Sequence, residues 1–111
     1  VSPDATIKET ILAMTKAHGG SAAVVDNAGN LLGIFTDGDF RRKAENDMEI
    51  LARKVGDVMT KNPASIHADS LAIEVLKVVE ARKIDDIIVL DAGGKVVGIV
   101  DIQDLPGLKL M

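Results

Sequence analysis

The residues best suited to chemistry lie in one short run, Thr36-Asp37-Gly38-Asp39-Phe40-Arg41-Arg42. A carboxylate such as Asp39 can accept both hydroxyls of a cis-diol, and hydrogen bonds to a charged group are worth roughly 1.5–3 kcal/mol each. A helix start offers unpaired N–H groups and a positive dipole end to a phosphate. The guanidinium forks of Arg41 and Arg42 suit phosphate or carboxylate, although two basic residues on a helix flank are usually solvated. The same Thr36-x-x-Asp39 spacing is also a helix-capping arrangement, so both readings stay open.

Other constellations point to no reaction. His18 and His67 are isolated in sequence, and without cysteine there is no zinc pattern. Asp37-Gly38-Asp39 lacks the spacing and terminal Glu of an EF-hand. Asp85-Asp86 reads as a solvated turn. No Ser or Lys sits in a nucleophile motif. Neither a catalytic residue nor a metal ligand is therefore expected, and the chain is not expected to be an enzyme by itself.

The elements that must position the Thr36–Arg42 run come from an internal repeat. Sliding the 111-residue chain along itself by 65 positions matches it without a gap. Asp4, Glu9, Val24 and Asp26 fall on Asp69, Glu74, Val89 and Asp91. Gly29, Gly33, Ile34 and Asp39 fall on Gly94, Gly98, Ile99 and Asp104. The matches include turn and helix-start residues, which two merely apolar stretches would not share.

In the first copy, Thr6 with Glu9 predicts a capping box. Ile7, Ile11, Met14 and Ala17 follow at helical spacing, and Gly19-Gly20 should end the helix. Ala22–Val25 and Leu31–Phe35 are apolar runs without alternation, the pattern of strands buried on both faces. Asp26–Asn30 is the turn between them, and Thr36–Asp39 starts another helix. The second copy predicts a helix from Ser70 to about Lys83, a strand over Ile87–Leu90, a turn over Asp91–Gly94 and a strand over Lys95–Val100. A last helix, shortened by Pro106-Gly107, opens at Asp101–Asp104. Between the copies Asp47–Met59 reads as helical, and Thr60–Ala64 leads into a short strand near Ser65-Ile66. The first copy has no counterpart of Val55–Ala64 before Val1, so its leading strand is expected to be missing, cut from something longer. The division is residues 1–46, the first unit, and 47–111, a linker helix with the second unit.

Composition narrows the function classes. A chain of this length buries roughly 65% of its unfolded surface, enough for a core. Hydrophobic residues make up 47% and aromatics 2%, with Phe35 and Phe40 the only two. That argues against single-stranded nucleic-acid binding, which uses aromatic platforms. The net charge of −4 opposes a duplex-binding face. The charge is uneven, however. Residues 41–61 hold Arg41, Arg42, Lys43, Arg53, Lys54 and Lys61 against Glu45, Asp47, Glu49 and Asp57, a local net of +2. This reads either as a solvated linker or as a local field that draws in a small anion. The lack of cysteine suits an intracellular, cytoplasmic setting. No apolar run reaches the ~18 residues of a membrane span, and nothing resembles a signal peptide.

The order helix, strand, turn, strand, then Gly-x-x-Thr-x-x-Asp at a helix start resembles a CBS domain. Gly33-Ile34-Phe35-Thr36-Asp37-Gly38-Asp39 is that motif, and Gly98-Ile99-Val100-Asp101-Ile102-Gln103-Asp104 is its second instance. Val55-Gly56-Asp57-Val58-Met59-Thr60 resembles the segment that opens a CBS unit. The longer string Gly33 to Arg42 is similar to the first CBS unit of bacterial arabinose 5-phosphate isomerases, sugar-phosphate isomerases of the Kdo (lipopolysaccharide sugar) pathway.

The resemblance implies an α/β (α+β) fold of two tandem CBS units with pseudo-two-fold symmetry, each a small sheet packed with helices. It implies a regulatory pair attached to an isomerase domain, with no required cofactor, often packed as a homodimer. The ligand would be an adenosine nucleotide or, for such a parent, a CMP-sugar. Carried over residue by residue, Asp39 would hold a ribose diol and Thr36 would lie near phosphate. Thr60, Lys61 and Asn62 would lie near base and phosphate, and Asp104 would serve a second pocket. One of Arg41 and Arg42 would join the ligand. Asp101 stands where a hydroxyl is expected, so the Asp104 pocket should be the weaker. The alternative is a dimerisation module that binds nothing.

Overall fold

The computed structural model describes residues 1–69 and 86–101. The expected helix over 70–83, the last helix beyond Asp101, Asp85 and Asp104 lie outside the described residues. The chain divides into two compact units, Val1–Asn62 and Pro63–Met111. Residues 47–62, which precede the second copy in sequence, thus belong in space to the first unit.

In the first unit, helix α1 spans Ile7–Lys16. Its capping box is formed: Thr6 Oγ1 accepts from the Glu9 N–H at 3.1 Å, and the Glu9 carboxylate accepts from the Thr6 N–H at 2.9 Å. Ile7 and Met14 are buried, with Ile11 packed against them. Thr10 is fully buried on the same face because its hydroxyl donates to the Thr6 carbonyl at 2.9 Å. The helix does not wait for Gly19-Gly20 to end. His18 takes the left-handed conformation (φ 56°), the Gly19 N–H reaches the Met14 carbonyl, and the His18 N–H reaches Thr15. That pattern is a Schellman close one residue ahead of the glycines.

Strands β1 (Ser21–Val25) and β2 (Leu31–Thr36) form an antiparallel hairpin. Helix α2 (Asp37–Ala44) follows β2 directly. Val24 and Phe35 are fully buried and join Ile7, Met14, Ile50 and Val55 in one core. Burying a side chain such as Phe35 contributes roughly 1.5–3 kcal/mol. Val1 lies beside β1: its ammonium donates to the Ala23 carbonyl and its carbonyl accepts from Val25, both at 2.8 Å. One residue therefore stands where the leading strand was expected to be missing.

The helix expected over Asp47–Met59 is not one helix. A 3-10 turn covers Ile50–Ala52 and a single turn, α3, covers Val55–Val58. Arg53 and Lys54 between them are extended. The cause is competition for the backbone. The Arg53 carbonyl accepts from Ile7, and the N–H groups of Val55 and Gly56 donate to Ala5 and Pro3. Groups so engaged cannot also close helical bonds. After α3, strand β3 (Thr60–Lys61) pairs antiparallel with the free edge of β2, giving the order β1-β2-β3.

In the second unit, β4 (Ser65–His67) runs parallel to β5 (Asp86–Leu90), which pairs antiparallel with β6 (Val96–Asp101). Ile87 and Ile88 are buried. The repeat extends to details. Val24 opposes Gly33 and Val25 opposes Leu31 across a register shift; Val89 opposes Gly98 and Leu90 opposes Val96 across the same shift. Asp26 accepts from the N–H groups of Ala28 and Asn30, as Asp91 does from Gly93 and Lys95. Gly29 and Gly94 hold φ of 87° and 82°, a conformation open to glycine without strain.

Candidate functional site

The site begins where β2 becomes α2. Thr36 is the last residue of the strand and the N-cap of the helix. Its Oγ1 accepts from the Asp39 N–H at 3.1 Å, and Asp39 Oδ2 accepts from the Thr36 N–H at 3.0 Å. The helix-cap reading of this pair is thus realised. Asp39 is 8% exposed. A carboxylate so enclosed needs partners, and its second oxygen, Oδ1, takes a charged hydrogen bond from Arg42 Nη2. Arg42 itself keeps 70% of its side chain in solvent. A carboxylate offers about four lone-pair sites, and these two bonds use only part of them.

Gly38 shows how closely the arginine lies. A Cβ there would come within 3.2 Å of Arg42 Nη1 and 3.7 Å of Thr36 Oγ1. Gly38 was not among the expected site residues. Its signal was available, since glycine inside a helix is unfavourable without a local reason. The loop before β1 reaches the same helix start: the Gly20 carbonyl accepts from the Asp37 N–H at 2.9 Å.

Thr60 and Lys61 are brought alongside by β3. Thr60 stands opposite Ile34 and Lys61 opposite Gly33, two and three residues before Thr36. Both are exposed, as is Asn62. Asn62 holds φ 55°, tolerable for asparagine, and turns the chain out of β3 before Pro63. Arg41 is exposed on α2 and makes no ion pair among the described residues. Thr36, Asp39 and Arg42 therefore meet at the β2–α2 junction, while Thr60 and Lys61 lie on the neighbouring strand, paired two and three residues back along β2. In the second unit the register sets Asp101 opposite Asp86, where the first unit has Thr36 opposite Ser21. Two acidic positions replace two hydroxyls there.

Among the described residues, three titrations are shifted, at the α1 cap and in the linker of the first unit. The Thr6 backbone N–H, then its hydroxyl, holds the Glu9 carboxyl below the ordinary carboxylate range. The hydrogen bond from Arg53 lowers Asp47, and Asp47 in turn raises Arg53. Arg53 Nε meets Asp47 Oδ2 at 3.0 Å, and Lys54 Nζ meets Asp4 Oδ1 at 3.7 Å. Among the described residues, no group of three or more His, Cys, Asp or Glu could hold a metal ion, and no helix is long and apolar enough to cross a membrane.

Comparison with known proteins agrees with this geometry. An arabinose 5-phosphate isomerase of Francisella tularensis is 40% identical over 110 residues, 99% of this chain and 33% of that protein. The Yersinia pestis isomerase is 33% identical over 105 residues, 95% of this chain and 32% of that protein. The chain thus spans about a third of the length of these relatives. Among solved structures, a CBS-domain protein of Agrobacterium tumefaciens superposes with a TM-score of 0.84 at 25% identity, covering 98% of this chain and 86% of that one. The protein CBSX2, solved in complex with AMP, superposes at 0.77 with 21% identity, over 99% of this chain and 85% of that one. The CBS domain itself matches twice, over residues 1–46 and 55–105, and the chain belongs to the CBS domain family as a tandem pair.

Proposed function

We propose that this chain is the ligand-sensing regulatory module of a sugar-phosphate isomerase and that it binds a nucleotide at the β2–α2 junction. The observation that carries the reading is Asp39, a buried carboxylate fixed by Thr36 whose Oδ1 is held, among the described residues, by a solvent-exposed arginine alone. A ribose diol can share or replace the Arg42 bond, and the freed guanidinium then faces the ligand's phosphate. Thr60 and Lys61, on the strand paired with Ile34 and Gly33, would extend the site. The likeness to CBSX2 carries the fold alone, but its AMP complex makes AMP the first ligand to try. The isomerase relatives make a CMP-sugar the second. The module would work in the cytoplasm, as a homodimer joined to its isomerase domain in lipopolysaccharide biosynthesis. Regulation further requires that the ligand bind two conformations unequally.

Calorimetry with AMP, ATP, CMP and CMP-Kdo tests this. Asp39→Ala, with folding checked by circular dichroism, should weaken the bound nucleotide roughly 10–100-fold. Asp39→Asn keeps an acceptor for the Thr36 N–H and should weaken it as well. Unchanged affinity in either folded variant removes Asp39 from the site. Asp104→Ala should lose less than Asp39→Ala, and an equal or larger loss reverses the ranking of the two pockets.

A second reading has its own observation. Leu12, Met48 and Leu51 are exposed large apolar residues of the first unit, at 59%, 101% and 47%. Such residues suit a dimerisation module that binds no ligand. Silence across the nucleotide panel, with a dimer by light scattering, would favour it.

A further inference from the structure

The start of α2 carries an acid that neither the cap nor the nucleotide reading uses. Asp37 is the first residue of the helix and is exposed. Its carboxylate lies over the loop before β1, since a Cβ on Gly20 would come 3.4 Å from Asp37 Oδ2. Among the described residues it makes no ion pair and no side-chain hydrogen bond. An acid in the first turn suits the helix dipole, but this one also stands where a phosphate chain would have to run. A helix start leaves four backbone N–H groups over, and three are taken here. The Thr36 N–H goes to Asp39, the Asp39 N–H to Thr36 and the Asp37 N–H to the Gly20 carbonyl. Among the described residues, only the Gly38 N–H is left. Gly38 also lies beside the guanidinium, because a Cβ there would come 3.2 Å from Arg42 Nη1.

We propose that Asp37 sets the ligand class of this site: it admits a nucleotide with one phosphate, free or esterified to a sugar, and turns away di- and triphosphates. This rests on the reading of Asp39 and Arg42 as a nucleotide site. One phosphate can be met by the Arg42 guanidinium and the single free N–H of Gly38. A second or third phosphate finds no further donor at the helix start, and the fixed charge next to Gly38 is the Asp37 carboxylate. Sites that hold a pyrophosphate on a helix N-terminus aim several N–H groups at it and rely on a positive end. Here those donors are spent and the end carries a negative side chain. The run Thr36–Arg42 holds two carboxylates against two guanidinium groups, so it offers a longer phosphate chain no net positive charge. Like charges closer than about 8–10 Å are not fully screened at ordinary salt. Asp37 thus discriminates by repulsion rather than by a contact.

Calorimetry without divalent cations compares AMP, ADP and ATP, and CMP, CDP and CTP, on this chain and on Asp37→Asn. In the unaltered chain, affinity should fall with each added phosphate. Asp37→Asn should strengthen triphosphate binding by roughly two- to fivefold, the scale of an exposed charge pair. It should change the monophosphate less, so the preference for one phosphate shrinks. Asp37→Ser, whose side chain also suits a helix start, should do the same, and circular dichroism checks that each variant is folded. Glu45→Gln removes an equal charge at the other end of α2, roughly 12 Å away along eight residues. It should leave the preference as it was. An unchanged preference in folded Asp37→Asn and Asp37→Ser overturns the proposal and leaves the nucleotide site standing. So does an equal change from Glu45→Gln, which would assign the effect to total charge. Failure of all six nucleotides to bind any of these chains overturns the proposal and the nucleotide reading together.

Discussion

Thr36 and Asp39 each satisfy the other's backbone N–H, so the helix cap itself holds both side chains in place. Three of the orphan donors at the start of α2 are consumed, two by this pair and the Asp37 N–H by the Gly20 carbonyl, so the phosphate-binding capacity of that helix start is smaller than a bare helix end would offer. The carboxylate, rather than the helix dipole, is left as the stronger recognition element. The cap should also be measurable apart from any ligand. Thr36→Ala should lower unfolding stability by about 1 kcal/mol in urea titration, while Thr36→Ser keeps the hydroxyl and should lose little. Equal losses in both variants would mean that the methyl group, not the hydroxyl, matters at this position. The Arg42 bond should add less to stability, because an ion pair with so exposed an arginine contributes ~0–1 kcal/mol.

At the scale of elements, β3 is the piece that the proposed site adds to a hairpin and helix, and its seat is Gly33. Gly33→Ala should push Met59 and the Thr60 carbonyl away, because both lie within 2.7 Å of the new Cβ. The expected loss is roughly 1–3 kcal/mol, typical of overpacking, read from the denaturation midpoint. Weaker nucleotide binding should accompany it, since Thr60 moves with its strand. A neutral result would show that β3 is loosely held. β3 was also the least legible element in the sequence. Two exposed polar residues have no periodicity, and only the partner strand makes them a strand. The broken linker was hidden for a related reason: its spacing is helical, but the backbone of Arg53–Gly56 is claimed by Pro3, Ala5 and Ile7. What could be read were features closed within a few residues. The Thr6–Glu9 and Thr36–Asp39 caps and the Asp26 and Asp91 turns are of this kind, and the 65-residue offset carried them from one copy to the other. The Arg42–Asp39 bond lay between those cases, since a spacing of three on a helix permits it but does not choose it over a ligand.

At the scale of the whole molecule, the proposed function asks an acidic chain to bind an anion. The net charge of −4 opposes this at long range. Near the site the balance differs. Of the six basic residues in 41–61, Arg42, Arg53 and Lys54 are engaged with Asp39, Asp47 and Asp4. Arg41, Lys43 and Lys61 are exposed, and none of them makes an ion pair among the described residues. Charges further apart than about 8–10 Å are largely screened at ordinary salt, so a bound nucleotide should feel the local cations more than the distant acids. Raising sodium chloride should therefore weaken AMP binding; strengthening it would mean that the net charge dominates. A pair of neutralisations separates the two cases further. Lys61→Ala and Lys8→Ala change the net charge equally, but Lys61 lies on β3 and Lys8 on α1. Lys61→Ala should weaken AMP by roughly two- to fivefold, the scale of an exposed ion pair, and flatten the salt dependence. Lys8→Ala should do neither. Equal effects from the two would assign the attraction to total charge and remove Lys61 from the site.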